Sequence, residues 1–246
     1  PGDEVRHIDW NVTARLNQPF IKQYIEEREL TIMLVVDLSA SGTFGSGEQT
    51  KRELAAEVAA ILAFAAQRNN DKVGLTLFTE RVEKYVAPAK GNRHVLRLVR
   101  DILEHTPDRR GGDLQHALQH LQKTFRRRAV MIVLSDFLDP LPVSALQQAQ
   151  RRHDVIAIQI TDPHEETLPA LGRITMEDAE TGEVGEVTLR NEEELSAFSQ
   201  HQSRAQEELE KQLCGIAIEK RALYEVQDAR QDASLKQLPL VSSPPH

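Results

Sequence analysis

The chain has a single cysteine, Cys214, in 246 residues. It therefore closes no internal disulfide, and no cysteine spacing suggests zinc, so a reducing compartment is expected, with the cytoplasm as the default location. No apolar run approaches the roughly 20 residues that span a bilayer, and no charged-then-apolar leader opens the chain. Positive charge is not in excess: a net charge of -8 argues against nonspecific nucleic-acid binding, which draws its affinity from neutralising phosphates. Aromatics are few, so the cluster Ile8, Trp10, Phe20 and Tyr24 stands out. It predicts that the N-terminal block packs against the rest. The start at Pro1, without an initiator Met, predicts a fragment, and a membrane tether is left to the full-length parent.

What is present is size enough for a self-sufficient core, since a chain of this length buries roughly 70% or more of its unfolded surface. The most informative stretch is Thr31 to Ser41, TIMLVVDLSAS. Its first six residues are rich in β-branched and other apolar side chains without clean polar alternation, as in a strand buried on both faces of a parallel sheet. Asp37 follows at the carboxyl end, the edge where open α/β sheets bind ligands. Asp37, Ser39 and Ser41 at i, i+2 and i+4 give three oxygen donors that a tight loop can turn toward one point. Hard cations such as Mg²⁺ take oxygen ligands. One carboxylate with two neutral hydroxyls leaves such an ion electron-poor and ready to accept another carboxylate from outside.

The remaining pattern alternates. A helix is predicted over Thr50 to Arg68, then strands Lys72 to Thr79 and Val82 to Val86 joined as a hairpin, then helices Arg93 to Leu103 and Asp113 to Phe125. Ala129 to Leu134 reads as a second buried strand, Val143 to Arg152 as a helix and Val155 to Thr161 as a further strand. This predicts an α/β fold, a doubly wound, mostly parallel sheet with right-handed crossovers and helices on both faces. Beyond it, Arg173 to Asp178 and Glu186 to Leu189 suggest a hairpin, and Asn191 to Leu213 a long polar helix with a capping box at Asn191 and Glu194 and with Gly215 as its C′ residue. Ile216 to Ile218 is expected to add an edge strand, and LPLVSSPPH at the end to be disordered. The expected division is 1-28 as an N-terminal segment, 29-170 as the main domain, 171-234 as a hairpin-and-helix extension and 235-246 as a tail.

Asp136 ends its strand as Asp37 does, and two adjacent strands ending in Asp can face one crevice. A strand-end Asp can equally cap a loop. Other motifs fail. Gly42 to Gly47 has P-loop spacing, but Glu48 and Gln49 replace the Lys-Ser/Thr pair. Ser39 stands where a haloacid-dehalogenase phosphatase needs its second Asp. His116 and His120 lack the Glu of a zinc-protease helix, Ala117 taking its place, and read as a solvated face. Neither serine sits in a Gly-x-Ser-x-Gly elbow. Arg126 to Arg128 read as a solvated run, and His153 as a hydrogen-bonding residue at a strand entrance.

Asp-x-Ser-x-Ser at a strand end resembles the opening of the metal-ion-dependent adhesion site of von Willebrand factor type A domains. PGDEVRHIDWNVTAR at Pro1 to Arg15, EERE at Glu26 to Glu29, DKVGLTLF at Asp71 to Phe78, LSDF at Leu134 to Phe137 and RRHDVIAIQITDPHE at Arg151 to Glu165 narrow the match. Together they look like the bacterial domain-of-unknown-function family 58, up to about Leu189. The resemblance implies a von Willebrand factor type A-like (Rossmann-like) fold, a protein-interaction role and a working partnership with MoxR-type AAA+ ATPases. It also implies Asp136 as the distal carboxylate of the metal site, acting through water.

Type A domains supply a further Thr, and the matching stretch here is Gly111-Gly112-Asp113-Leu114, with Gly112 where that Thr is expected. Asp113 can substitute or cap the following helix, and the cap is preferred. The expected metal set is Asp37, Ser39, Ser41 and Asp136, with Asp113 as the alternative donor, and Mg²⁺ or Mn²⁺ as a weakly held cofactor. Gly112→Thr is expected to tighten binding if the loop accepts a side chain. The function expected is a noncatalytic protein-interaction module with a degenerate adhesion site, in chaperone-like assembly with a MoxR-type ATPase. The alternative is a Mg-dependent hydrolase using Asp37 and Asp136.

Overall fold

The structure, a computed structural model, describes residues 29–43, 50–162, 172–177, 184–189, 192–216 and 218–223. The expectations for the N-terminal block with Trp10, for most of the glycine-rich loop after Thr43, for the cap at Asn191 and for the tail at 235–246 lie outside these residues.

Strand β1 (Thr31–Asp37) is followed by a 3-10 turn (Ala40–Thr43), helix α1 (Lys51–Arg68), strands β2 (Lys72–Phe78) and β3 (Val82–Ala89), helices α2 (Asn92–Glu104) and α3 (Leu114–Thr124) and strand β4 (Val130–Ser135). Helix α4 (Val143–Gln150), strand β5 (Asp154–Ile160), the ribbon β6 (Gly172–Glu177) and β7 (Val184–Leu189), helix α5 (Glu192–Gly215) and strand β8 (Glu219–Leu223) complete it. One six-stranded sheet has the order β3-β2-β1-β4-β5-β8, and β6 and β7 pair separately. Only the β2–β3 pairing within the large sheet is antiparallel, as the short connection between those strands dictates.

Alternation along β1 divides the core. Ile32, Leu34 and Val36 join one cluster with Leu54, Val58 and Leu62 of α1 and Val95, Leu98 and Ile102 of α2. Met33 and Val35 join the other, with Leu118 and Leu121 of α3, Leu146 of α4 and Leu213 of α5. Helices thus cover both faces, which is why Ile32 to Val36 of β1 are all apolar and buried. Helix α1 starts with a capping box in which Thr50 accepts from the Glu53 amide and Glu53 reaches back to the Thr50 amide.

Three local expectations change. Gly215 is the last residue of α5, not the residue beyond it, and its φ is not in the left-handed region. The edge strand forms at Glu219–Leu223, just after the predicted Ile216 to Ile218. Ile216 and Ile218 are instead buried under the second core cluster, as anchors between helix and strand. His153 is 1% exposed and neither ring nitrogen has a hydrogen-bond partner. It stacks on Phe125 with ring centroids 5.9 Å apart, so it serves as an aromatic packing group. Burial, with Arg152 nearby, lowers its pKa and keeps the ring neutral.

Candidate metal crevice at the carboxyl edge of the sheet

β1 and β4 run parallel with Val36 opposite Leu134. The next residues, Asp37 and Ser135, therefore leave the sheet side by side, and the Ser135 hydroxyl donates to Asp37 Oδ2 at 2.7 Å. The other Asp37 oxygen, Oδ1, accepts from the Ser39 amide at 2.9 Å. The loop closes on itself: Ser39 Oγ and Ser41 Oγ lie 2.9 Å apart, and the Gly42 amide donates to the Ser39 carbonyl. Both serines are buried. Asp37, Ser39 and Ser41 thus share one tight turn, as their spacing implies.

Asp136 takes a different path. Val130, Ile132 and Leu134 face the α1 side of the sheet, and Asp136 continues that phase beyond the strand end. It meets Lys51, the first residue of α1, whose Nζ lies 2.8 Å from Asp136 Oδ2. Ser135 and Asp136, adjacent in sequence, thereby serve different partners. Asp136 still lines the same crevice as Asp37 and Ser39, and its charge is felt there. Desolvation by the surrounding protein is the main reason that the Asp37 carboxyl is pushed up to about 6, and repulsion from Asp136 adds to it. Among the described residues no cationic side chain lies within ion-pair distance of Asp37. Ser135 and Lys51 were absent from the sequence-derived set. In-register pairing with β1 points to the first, while the second needs the position of α1.

The glycine loop is held beside this turn. The Ala40 amide donates to the Arg110 carbonyl at 2.7 Å, and the Asp113 amide to the Thr79 carbonyl at 2.9 Å. Asp113 caps α3, its Oδ1 accepting from the His116 amide at 2.8 Å, as the preferred sequence reading holds. Gly112 lies against Asp37: a Cβ there would stand 3.4 Å from Asp37 Oδ2. It would also stand 2.8 Å from Asp139 Oδ2, inside the normal contact distance. Asp139 thus fills the space that a side chain at position 112 would take. Phe137, with φ of 55°, turns the chain sharply after β4, and its ring packs against the second core cluster. A bulky residue in this conformation is costly and needs such support. Burial raises the Asp139 pKa, and Asp136 and Asp113 raise it further.

The donor chemistry fits a hard divalent cation. Oxygens of Asp37, Ser39 and Ser41 lie on one turn, Asp139 stands beside position 112, and among the described residues Asp37 has no positive partner to offset its desolvation. Among the described residues no three His, Cys, Asp or Glu side chains converge on one point, so hydroxyls would have to share in any such coordination. No His or Cys lines the crevice among the described residues.

With this geometry in view, the comparisons are decisive for the family. The model of the family described as protein of unknown function DUF58 matches residues 1–208. The chain belongs to that family. An uncharacterized protein of Mycobacterium tuberculosis is 36% identical over 192 residues, covering 77% of this chain and 61% of its own length, and an uncharacterized Mycobacterium bovis protein matches equally. The chain therefore spans about 61% of the length of these curated relatives. Among solved structures, the conserved hypothetical protein BatB from Bacteroides thetaiotaomicron superposes with a TM-score of 0.56 at 16% identity, covering 84% of this chain and 96% of that one. An aerotolerance-related membrane protein from Bacteroides fragilis gives 0.57 at 15% identity, covering 83% and 96%. The DUF58 domain here has the von Willebrand factor type A-like fold that its opening motif implies. Among the described residues no helix is long and apolar enough to cross a membrane.

Proposed function

We propose that this DUF58 domain is a noncatalytic interaction module that holds a divalent cation, Mg²⁺ or Mn²⁺, at the Asp37 turn and offers it to a carboxylate of a protein partner. The observation that carries this reading is the Asp37 carboxylate itself: desolvated, held by two neutral donors, and without a cationic partner among the described residues. Asp37, Ser39 and Ser41 would hold the ion, with Asp139 in the place of the missing Thr and Asp136 as an outer charge. The ion would supply a positive centre for an incoming acidic side chain, attracted more strongly in a partly desolvated crevice than in water.

The Lys51–Asp136 pair sharpens the idea. With Asp136 already neutralised by an ammonium, it offsets less of an ion's charge, and the demand for an external carboxylate rises. A MoxR-type AAA+ ATPase is the partner class the family resemblance suggests, in a chaperone-like assembly, with the cytoplasm as the place of work and any membrane tether in the longer parent. The test is calorimetric Mn²⁺ titration of wild type and Asp37→Ala, followed by capture of the ATPase by the parent protein with and without chelator. Equal Mn²⁺ affinity in the two proteins would remove the metal site from the reading. Chelator-insensitive capture would move the partner to another surface.

A further inference from the structure

A second surface lies at the opposite pole. Helices α3 and α4 precede the adjacent parallel strands β4 and β5, so their carboxyl ends lie together at the amino edge of the sheet, away from Asp37. Between them runs a groove of about 680 Å³ lined by Gln119, Gln122, Lys123, Gln148, Arg151 and Arg152. Among the described residues no acidic side chain lines it. Among the described residues Lys123, Arg151 and Arg152 have no carboxylate within ion-pair distance, whereas Arg128 at its margin is paired with Asp154 at 2.9 Å. Arg126 and Arg127, on the same connector as Arg128, are also exposed and unpaired among the described residues.

Helix dipoles do not account for this charge. Two helix carboxyl ends carry roughly half a negative charge each, about one in all, against three cations in the groove and two beside it. Clustering five unpaired cations in a chain of net charge -8 costs self-repulsion that an anionic ligand would relieve. The glutamines add a second kind of evidence. Gln122 lines the groove, and its side-chain Nε2 is buried without a hydrogen-bond partner, which is an uncommon and costly state for an amide. The amides that a ligand can reach are those of Gln119 and Gln148, which line the groove and are exposed. Side-chain amides can pair with a peptide backbone while guanidinium forks take carboxylates.

We infer that the α3–α4 groove, lined by Lys123, Arg151, Arg152 and three glutamines, binds an acidic peptide segment of a partner protein in extended form. The surface is independent of the metal crevice, so the module has two recognition poles. The probe is a fluorescein-labelled dodecapeptide alternating Glu and Ser, its binding read by anisotropy at low salt in EDTA. The full chain should bind it, less tightly as salt rises. Arg151→Glu/Arg152→Glu and the milder Lys123→Gln/Arg151→Gln/Arg152→Gln should each weaken binding roughly tenfold or more. Arg100→Glu on the other face of the sheet and Asp37→Ala should leave it unchanged. Folding of each variant is checked by circular dichroism, and since the groove side chains and Arg100 are exposed the folds of those variants should persist. No peptide binding, or binding indifferent to both groove variants, overturns the proposal. So does tighter binding of a single-stranded oligonucleotide of equal charge, which would make the groove a phosphate-backbone site.

Discussion

Lys51 and Asp136 form a buried ion pair across 85 residues of sequence, Nζ to Oδ2 at 2.8 Å, with side chains 4% and 9% exposed. The pair locks the first turn of α1 to the end of β4, and so fixes the wall of the Asp37 crevice. Its worth is in position more than in net energy, since desolvation of two charges offsets much of their attraction.

Breaking the pair from one side should therefore be costly. Lys51→Met is expected to destabilise by about 3–5 kcal/mol, because Asp136 would stay buried without its counter-ion. Lys51→Met with Asp136→Leu should recover most of that loss. Urea unfolding of the single and double variants checks this, and a double variant as unstable as Lys51→Met would show that the pair contributes more than its charges.

The raised pKa of Asp37 gives a pH dependence of defined sign. The folded state holds its proton up to about pH 6 while the unfolded chain releases it near the ordinary 3.8. Asp37 therefore favours folding below about pH 4, and that contribution is lost as pH rises through about 6. The total is on the order of 2–3 kcal/mol. In EDTA, wild type should lose stability relative to Asp37→Asn between pH 4 and pH 7, and Mn²⁺ should narrow the gap at pH 7. Parallel pH profiles for the two proteins would contradict the assignment.

Gly112→Thr is no longer a simple repair. The new Cβ would press on Asp139 Oδ2 at 2.8 Å, displacing a carboxylate as it adds a hydroxyl. Mn²⁺ affinity of Gly112→Thr should be no better than that of wild type, while Gly112→Thr/Asp139→Ala should fold without the clash and exceed Gly112→Thr alone. Calorimetric titration of the three proteins decides the order. A gain in Gly112→Thr alone would mean that Asp139 moves aside freely and does not fill the Thr position.

Glu83 holds the loop that delivers Gly112. Its Oε1 accepts from the Thr79 hydroxyl at 2.7 Å and the Asp108 amide at 2.9 Å, and its Oε2 lies 2.6 Å from His105 Nε2. Although desolvation pushes its pKa up, the bonds from Thr79, His105 and Asp108 outweigh that and hold it below the usual carboxylate value. Its contribution is thus present above the unfolded Glu pKa and lost as pH falls. Glu83→Ala should destabilise by roughly 1–3 kcal/mol through the abandoned donors and speed hydrogen exchange at Asp108 and Asp113. Unchanged exchange at those amides would show that the backbone bonds to Thr79 and Ala40 suffice.

What the sequence determined by itself was whatever depends on local order. Uniform apolar runs marked β1 and β4 as two-sided strands, apolar positions at helical spacing from Thr50 marked α1, and the spacing of Asp37, Ser39 and Ser41 placed three oxygens on one turn. Asp113 was legible as a cap because capping acts over three residues. The tertiary structure decided what depends on register and on the return of distant chain. Parallel pairing set Ser135 beside Asp37, and the phase of β4 sent Asp136 to Lys51. A left-handed Phe137 brought Asp139 into the space left by Gly112. No local pattern encodes these three, since each joins residues whose neighbourhood exists only after helices have packed on both faces of the sheet.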